Sequence, residues 1–195
     1  MTSGIQLFVV PLHKISCISL IQLRKSQDMN VTIKEENIIK AAGEGMDSFV
    51  KVFYDAIMDS VGGEITADNM SRLTTDQLTL VAYVWLRDEV MDGGFVQLIH
   101  NGYGSFIFDN PFAKMMKEWG IKELSKLLYA VRKLYVADGE EIEKDCSDEE
   151  FMSLFEKYPA FDDFDDTFVE NEEEWTGDVA HYIDEHIENF ANVEK

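Results

Sequence analysis

Acidic and aromatic residues alternate through the last third of this 195-residue chain, and that pairing limits the folds open to it. Residues 138–195 hold 22 of the 38 Asp and Glu but only 3 of the 17 Lys and Arg, so they carry -19 of the formal net charge of -21. A segment so charged ordinarily stays unfolded, because like charges repel and too little apolar surface is buried to offset the ordering entropy. This one, however, sets Phe161, Phe164 and Phe168 among Asp162, Asp163, Asp165, Asp166 and Glu170. Trp175, Val179, Tyr182, Ile183, Ile187 and Phe190 then recur at helical spacing to the end. That is the period of a helix with one apolar face. The acidity therefore reads as the outer face of docked helices, which argues against a disordered tail.

The rest of the chain is patterned in the same way. Residues 35–60 read as helix with a break near Gly43-Glu44-Gly45, burying Phe49, Val52, Phe53, Ala56 and Ile57. Thr74-Thr75-Asp76-Gln77 is a capped start for a helix running to about Met91, with Leu78, Val81, Ala82, Trp85 and Leu86 on its apolar side. Asp92-Gly93-Gly94 breaks it, and residues 95–100 resume it. Asn110 is expected to cap a helix whose first residue is Pro111. Residues 121–136 carry the stripe Leu124, Leu127, Leu128, Val131, Leu134 and Tyr135. Ser147-Asp148-Glu149-Glu150 is a capping box ahead of Phe151, Leu154 and Phe155. No stretch alternates with period two, so no sheet is assigned. The expected fold is all-α, a compact multi-helix, bundle-like domain over residues 29–195 with an acidic helical C-terminal third.

Residues 1–28 are expected to be an extension outside that fold. Their apolar run, residues 5–23, is interrupted by Pro11, His13 and Lys14, and the basic pair Arg24-Lys25 follows it instead of leading it. This fits neither a transmembrane helix nor a secretory signal. Two cysteines, Cys17 and Cys146, lack metal-ligand spacing and fit reduced thiols in a cytoplasmic protein.

The most distinctive run is Gly93-Gly94-Phe95, Gln97 and Asn101-Gly102-Tyr103-Gly104. It has neither the dinucleotide fingerprint nor a phosphate-cradling Gly-Lys-Ser/Thr loop, so it reads as a tight crossing between helices. The carboxylates Asp162, Asp163, Asp165 and Asp166 lack the central glycine of a calcium loop. His181 and Glu185, four apart, read as a helix-surface pair and not as a zinc motif. No cofactor, no metal and no catalytic residue is expected.

That run, with Asn110-Pro111-Phe112 through Trp119-Gly120 and the later segments 151–159 and 161–174, resembles the bacterial DNA-mimic proteins of the small, acidic, all-helical type. The resemblance spans Met29 to the C-terminus. It implies an all-α and often homodimeric fold that presents carboxylates in place of DNA phosphates. It further implies a basic, DNA-binding partner such as a helix-turn-helix repressor. The surface chosen from the residues themselves is Asp162, Asp163, Asp165, Asp166, Glu170, Glu172, Glu173, Glu174, Asp178, Glu185 and Glu188. Such a field attracts basic proteins and repels nucleic acid and anionic membranes. Two other readings stay open. One is an acidic helical interaction or regulatory domain whose charge serves solubility. The other is an enzyme with a pocket near His100, Asn101 and Tyr103.

Overall fold

A computed structural model describes residues 31–195; the expected extension, residues 1–28, lies outside the described residues. Among these are nine α-helices: α1 Glu35–Glu44, α2 Met46–Ser60, α3 Thr75–His100, α4 Gly104–Phe108, α5 Phe112–Glu118, α6 Lys122–Ile142, α7 Asp148–Lys157, α8 Asp162–Glu185 and α9 Ile187–Phe190. Two short strands, β1 Thr32–Lys34 and β2 Asn192–Glu194, complete the fold. The all-α class holds.

Helix α3 is the axis of the fold, packed against α2, α6 and α8 and touching α4, α5 and α9. It starts at the expected cap. Thr74 Oγ1 accepts from the Gln77 amide at 3.1 Å, and Gln77 Oε1 accepts from the Thr74 amide at 2.9 Å. The same two side chains also reach across the sequence. Thr74 Oγ1 donates to the Asn189 carbonyl at 3.0 Å and Gln77 Nε2 to the Phe190 carbonyl at 2.7 Å. One local cap thereby ties the C-terminal end to the central helix. Trp119, which follows α5, closes this region: its ring stacks on Tyr182 of α8 at 4.4 Å, and its Nε1 donates to Asp76 at 3.0 Å. Tyr83, Phe53, Phe95, Phe161, Phe168 and Phe190 are fully buried, so the aromatics expected to hold the acidic third do sit in the common core.

Four local expectations are corrected. The strand pair was not foreseen: β1 runs parallel to β2 with Ile33 opposite Val193, and three residues are too few to show an alternation. The chain's end is accordingly not one continuous helix, since α8 stops at Glu185 and the last residues pair as strand. Asn110 does not open α5; its Nδ2 donates to the Phe106 carbonyl at 2.9 Å and so serves the end of α4, while Pro111 takes the capping position. Finally, α6 continues six residues beyond Val136 to Ile142, because Gly139 lies under the Tyr135 ring and extends the buried side.

Candidate functional site: the carboxylate face of helix α8

Helix α8 has 24 residues and is therefore about 36 Å long. Its inner stripe is Phe168, Trp175, Val179 and Ile183, each at most 4 % exposed. Phe168 meets Phe95 edge-on at 6.2 Å and Trp175 at 5.5 Å. Burying four such side chains contributes about 1.5–3 kcal/mol each. Opposite them, nine carboxylates are exposed: Asp162, Asp163, Asp166, Glu170, Glu173, Glu174, Asp178, Asp184 and Glu185. Six of their pairings fall at i,i+3 or i,i+4: Asp162–Asp166, Asp163–Asp166, Asp166–Glu170, Glu170–Glu173, Glu170–Glu174 and Glu174–Asp178. Repulsion at about 0.2–0.5 kcal/mol per pair costs the helix about 1–3 kcal/mol in total. The anchors exceed this several-fold, so the array is held rigid against its own repulsion.

Among the described residues no Lys or Arg forms an ion pair with any of the nine; Glu185 meets only His181, at 3.4 Å, the helix-surface pair expected from its spacing. Nine charges along about 36 Å is one per about 4 Å. One strand of B-DNA carries one per about 3.4 Å.

The structure divides the sequence-chosen residues. Eight of them are in the exposed row on α8, and Glu188 is exposed on α9. Asp165 and Glu172 are not part of the face. Glu172 accepts from Thr176 Oγ1 at 2.8 Å and lies 3.8 Å from Arg87 Nε, while Thr176 is itself hydrogen-bonded to Tyr83 Oη at 2.7 Å. Asp165 is half-buried, and its Oδ1 accepts from the Phe95 amide at 2.7 Å. Burial pushes its carboxyl up to about 6; the Phe95 N–H opposes this, and Asp162 and Asp166 reinforce it. A sequence signal for both was present. Asp165, Phe168, Glu172, Trp175, Val179 and Ile183 recur at three and four, so these two acids lie on the apolar stripe. Asp184, which the sequence reading left out, lies eleven residues after Glu173, about three turns on, and so on the side of Asp166, Glu170 and Glu173.

The glycine-rich motif is the seat of Asp165. Inside α3 the backbone leaves helical geometry at Gly93 and Gly94, the latter at φ 73 and ψ -175. This region is essentially confined to glycine. A Cβ on Gly94 would lie 2.7 Å from Asp165 Cγ, so the residue must be glycine on two grounds. The polar residues of the motif brace the kink from outside. Glu89 Oε2 accepts from Asn101 Nδ2 at 2.8 Å and Gln97 Nε2 at 3.3 Å, and Gln97 also donates to Asp92 at 2.8 Å. Burial raises the Glu89 carboxyl and these amides lower it. Gly104 admits the Tyr135 ring, whose Cε2 is 2.5 Å from where a Cβ would be. The motif is thus the scaffold that seats α8.

The residues of the enzyme reading have separate structural contacts. His100 Nδ1 donates to the Ile142 carbonyl at 2.8 Å, which fixes its tautomer and leaves Nε2 facing Cys146 Sγ at 3.9 Å. Asn101 serves Glu89, and Tyr103 packs on Trp85 at 5.3 Å. Among the described residues no cluster of three metal-ligating side chains occurs, and no helix is long and apolar enough to cross a membrane.

Comparison with known proteins bears on this arrangement. The sequence model of a family described as DMP19-like protein matches residues 71–186. That span contains the whole kink motif and every chosen acidic residue except Glu188. The chain is also 36% identical over 127 residues to the DNA mimic protein DMP19 of Neisseria meningitidis serogroup B, an alignment covering 65% of this chain and 77% of that protein. On these two matches the chain belongs to the DMP19-like protein family.

Proposed function

We propose that this chain is a DNA-mimic binding protein that presents the outer row of α8 to the DNA-contacting surface of a basic protein, a helix-turn-helix repressor being the type best suited. The observation that carries the reading is the row itself: nine exposed carboxylates with no Lys or Arg partner among the described residues, at close to the linear charge density of one DNA strand, on a helix fixed by four buried anchors. A basic protein built for phosphates gains the same kind of charge complementarity from such a row. Family membership supports this reading, because the curated relative is named for DNA mimicry. We read residues 29–195 as one domain, working in the cytoplasm as a binding protein and not as an enzyme. A homodimer would present the row twice.

The test is capture of partners from native lysate at low salt, elution by a salt gradient, and competition by duplex DNA. The expected result is a DNA-binding protein whose retention falls steeply with salt and which its own duplex displaces. A variant with Asp163→Asn, Asp166→Asn, Glu170→Gln and Glu174→Gln is expected to lose it. Retention unchanged in that variant, or a captured protein indifferent to DNA, refutes the reading.

A further inference from the structure

The positive charge of the chain is also localised, and two of its side chains, Lys114 and Arg132, line a pair of apolar clefts. Residues 111–133 hold Lys114, Lys117, Lys122, Lys126, Arg132 and Lys133 against only Glu118 and Glu123, a net of +4 inside a chain of -21. Two clefts meet there, on either side of the ridge Asn110-Pro111 and sharing Lys114. The first, about 340 Å³, lies between the α4–α5 turn and α6 and is walled by Ile107, Phe108, Leu128 and Tyr129 with Arg132 at its rim. The second, about 390 Å³, is walled by Leu78, Ala82, Phe106, Phe112 and Met115. No residue of α8 lines either cleft, and the one carboxylate among their walls is Asp109. Beyond the first cleft the apolar surface continues along α6. Tyr129 and Val136, seven residues apart and so on one side of the helix, are 49% and 67% exposed.

Large exposed aromatic and aliphatic side chains beside open apolar clefts mark a docking surface. Two clefts that share Asn110, Pro111 and Lys114 suit the helix-in-groove mode, in which successive anchors on one helix face drop into neighbouring pockets. The rim charge selects the partner. Lys114 and Arg132 are 66% and 47% exposed, and each forms one solvent-exposed ion pair, with Glu118 at 3.3 Å and Asp109 at 3.6 Å, of the weak kind that a partner's carboxylates can join or replace. We propose that the twin clefts flanking Asn110-Pro111 are a second binding site, which takes an acidic amphipathic helix of a partner protein. Its apolar anchors enter the clefts and its carboxylates meet Lys114 and Arg132. The site is independent of the α8 row and of opposite charge preference, so one molecule can hold a basic and an acidic partner together.

The probe is a synthetic 16-residue peptide with Leu or Phe at i, i+3, i+4 and i+7 and Glu elsewhere, titrated into isotope-labelled full chain and followed by amide shifts. A second peptide keeps the anchors and replaces Glu by Lys. The expected result is saturable shifts centred on Ile107, Met115 and Tyr129 with the Glu peptide, at least about tenfold weaker binding of the Lys peptide, and the same loss in Lys114→Glu combined with Tyr129→Ala. Both substituted side chains are exposed, and Lys114→Arg is expected to retain binding. The α8 variant described above keeps full affinity, which separates this site from the proposed mimic face. No saturation up to about 1 mM, the weak end of specific binding, overturns the proposal. So does equal binding of the two peptides, or shifts of the same residues on dilution of the free protein, which would make a second copy the occupant.

Discussion

Replacing Gly94 by Ala probes the seat of α8 directly. Gly94 sits at φ 73 and ψ -175, and an L-residue held there costs of order 1–3 kcal/mol. The added methyl would also sit 2.7 Å from Asp165 Cγ, so the carboxylate must leave the Phe95 amide that it accepts from at 2.7 Å. A hydrogen bond to a charged group contributes about 1.5–3 kcal/mol, and here its loss leaves a half-buried amide unpaired. Together these give about 3–5 kcal/mol, a large part of the 5–15 kcal/mol typical of a domain, and at this size a fall of about 10 °C or more in Tm. Urea unfolding followed by far-UV circular dichroism measures it. The mechanism is separable by a double-mutant cycle with Asp165→Ala. Without the carboxylate, Gly94→Ala has only its backbone cost, so the two changes should couple by the hydrogen-bond part, about 1.5–3 kcal/mol. A single-variant cost below about 1 kcal/mol would refute the reading of the kink. Equal costs in the two backgrounds would refute the clasp between Asp165 and Phe95.

Three further outcomes follow from the same contacts. Asp165 has its folded-state carboxyl raised to about 6 from 3.8, so the folded protein binds that proton more tightly than the unfolded chain does. Its contribution is then most favourable below pH 4 and declines as the pH rises from about 4 to 6. The shift corresponds to about 3 kcal/mol if taken whole, but the side chain is only partly buried and solvent screens it, so about 1 kcal/mol is the fair figure. Asp165→Asn, which keeps an acceptor for the Phe95 amide, should therefore stabilise the protein by about that much at pH 7 and by nothing at pH 4. Urea midpoints across that range check it. Tyr83→Phe removes the 2.7 Å bond to Thr176 and should cost about 1 kcal/mol, read from the same unfolding curves; no change would mean that the bond is not made in solution. Ser147→Ala removes the cap of α7, whose Oγ accepts from the Glu150 amide at 3.3 Å, and should cost about 1 kcal/mol, visible as faster hydrogen exchange confined to the first turns of α7.

What the sequence could show was what depends on near neighbours. The capping pairs Thr74–Gln77 and Ser147–Glu150, the break at Gly93-Gly94 and the stripe Phe168, Trp175, Val179 and Ile183 are local patterns, and each is present in the fold. The misses are the features set by distant chain. Strand β1 exists only because β2, 160 residues later, lies beside it. Asn110 bonds backward to Phe106, a choice between two helix ends that local sequence leaves equal. For Asp165 and Glu172 only the partners are distant, Phe95 and Arg87 on α3; their place on the apolar stripe was a local signal that the count of charges overrode. Charge alone made all eleven acids look alike, while their position around the helix separated them.

That separation assigns two opposite duties to one kind of side chain on one helix. The outward acids, Asp163, Asp166 and Glu170 among them, repel one another, so neutralising them relieves the helix while removing the charge a basic partner would meet. The inward acids lie against α3, where Asp165 accepts from the Phe95 amide and Glu172, bonded to Thr176 of its own helix, sits 3.8 Å from Arg87 Nε. Truncating these to Ala loosens the helix while leaving the outer row intact. On the proposed function, binding and stability are therefore coupled with opposite signs across α8. The glycines at the kink resolve the conflict: by letting α3 bend at Gly94, they bring a backbone amide to Asp165 and so turn one member of a repulsive series into an attachment point for the others.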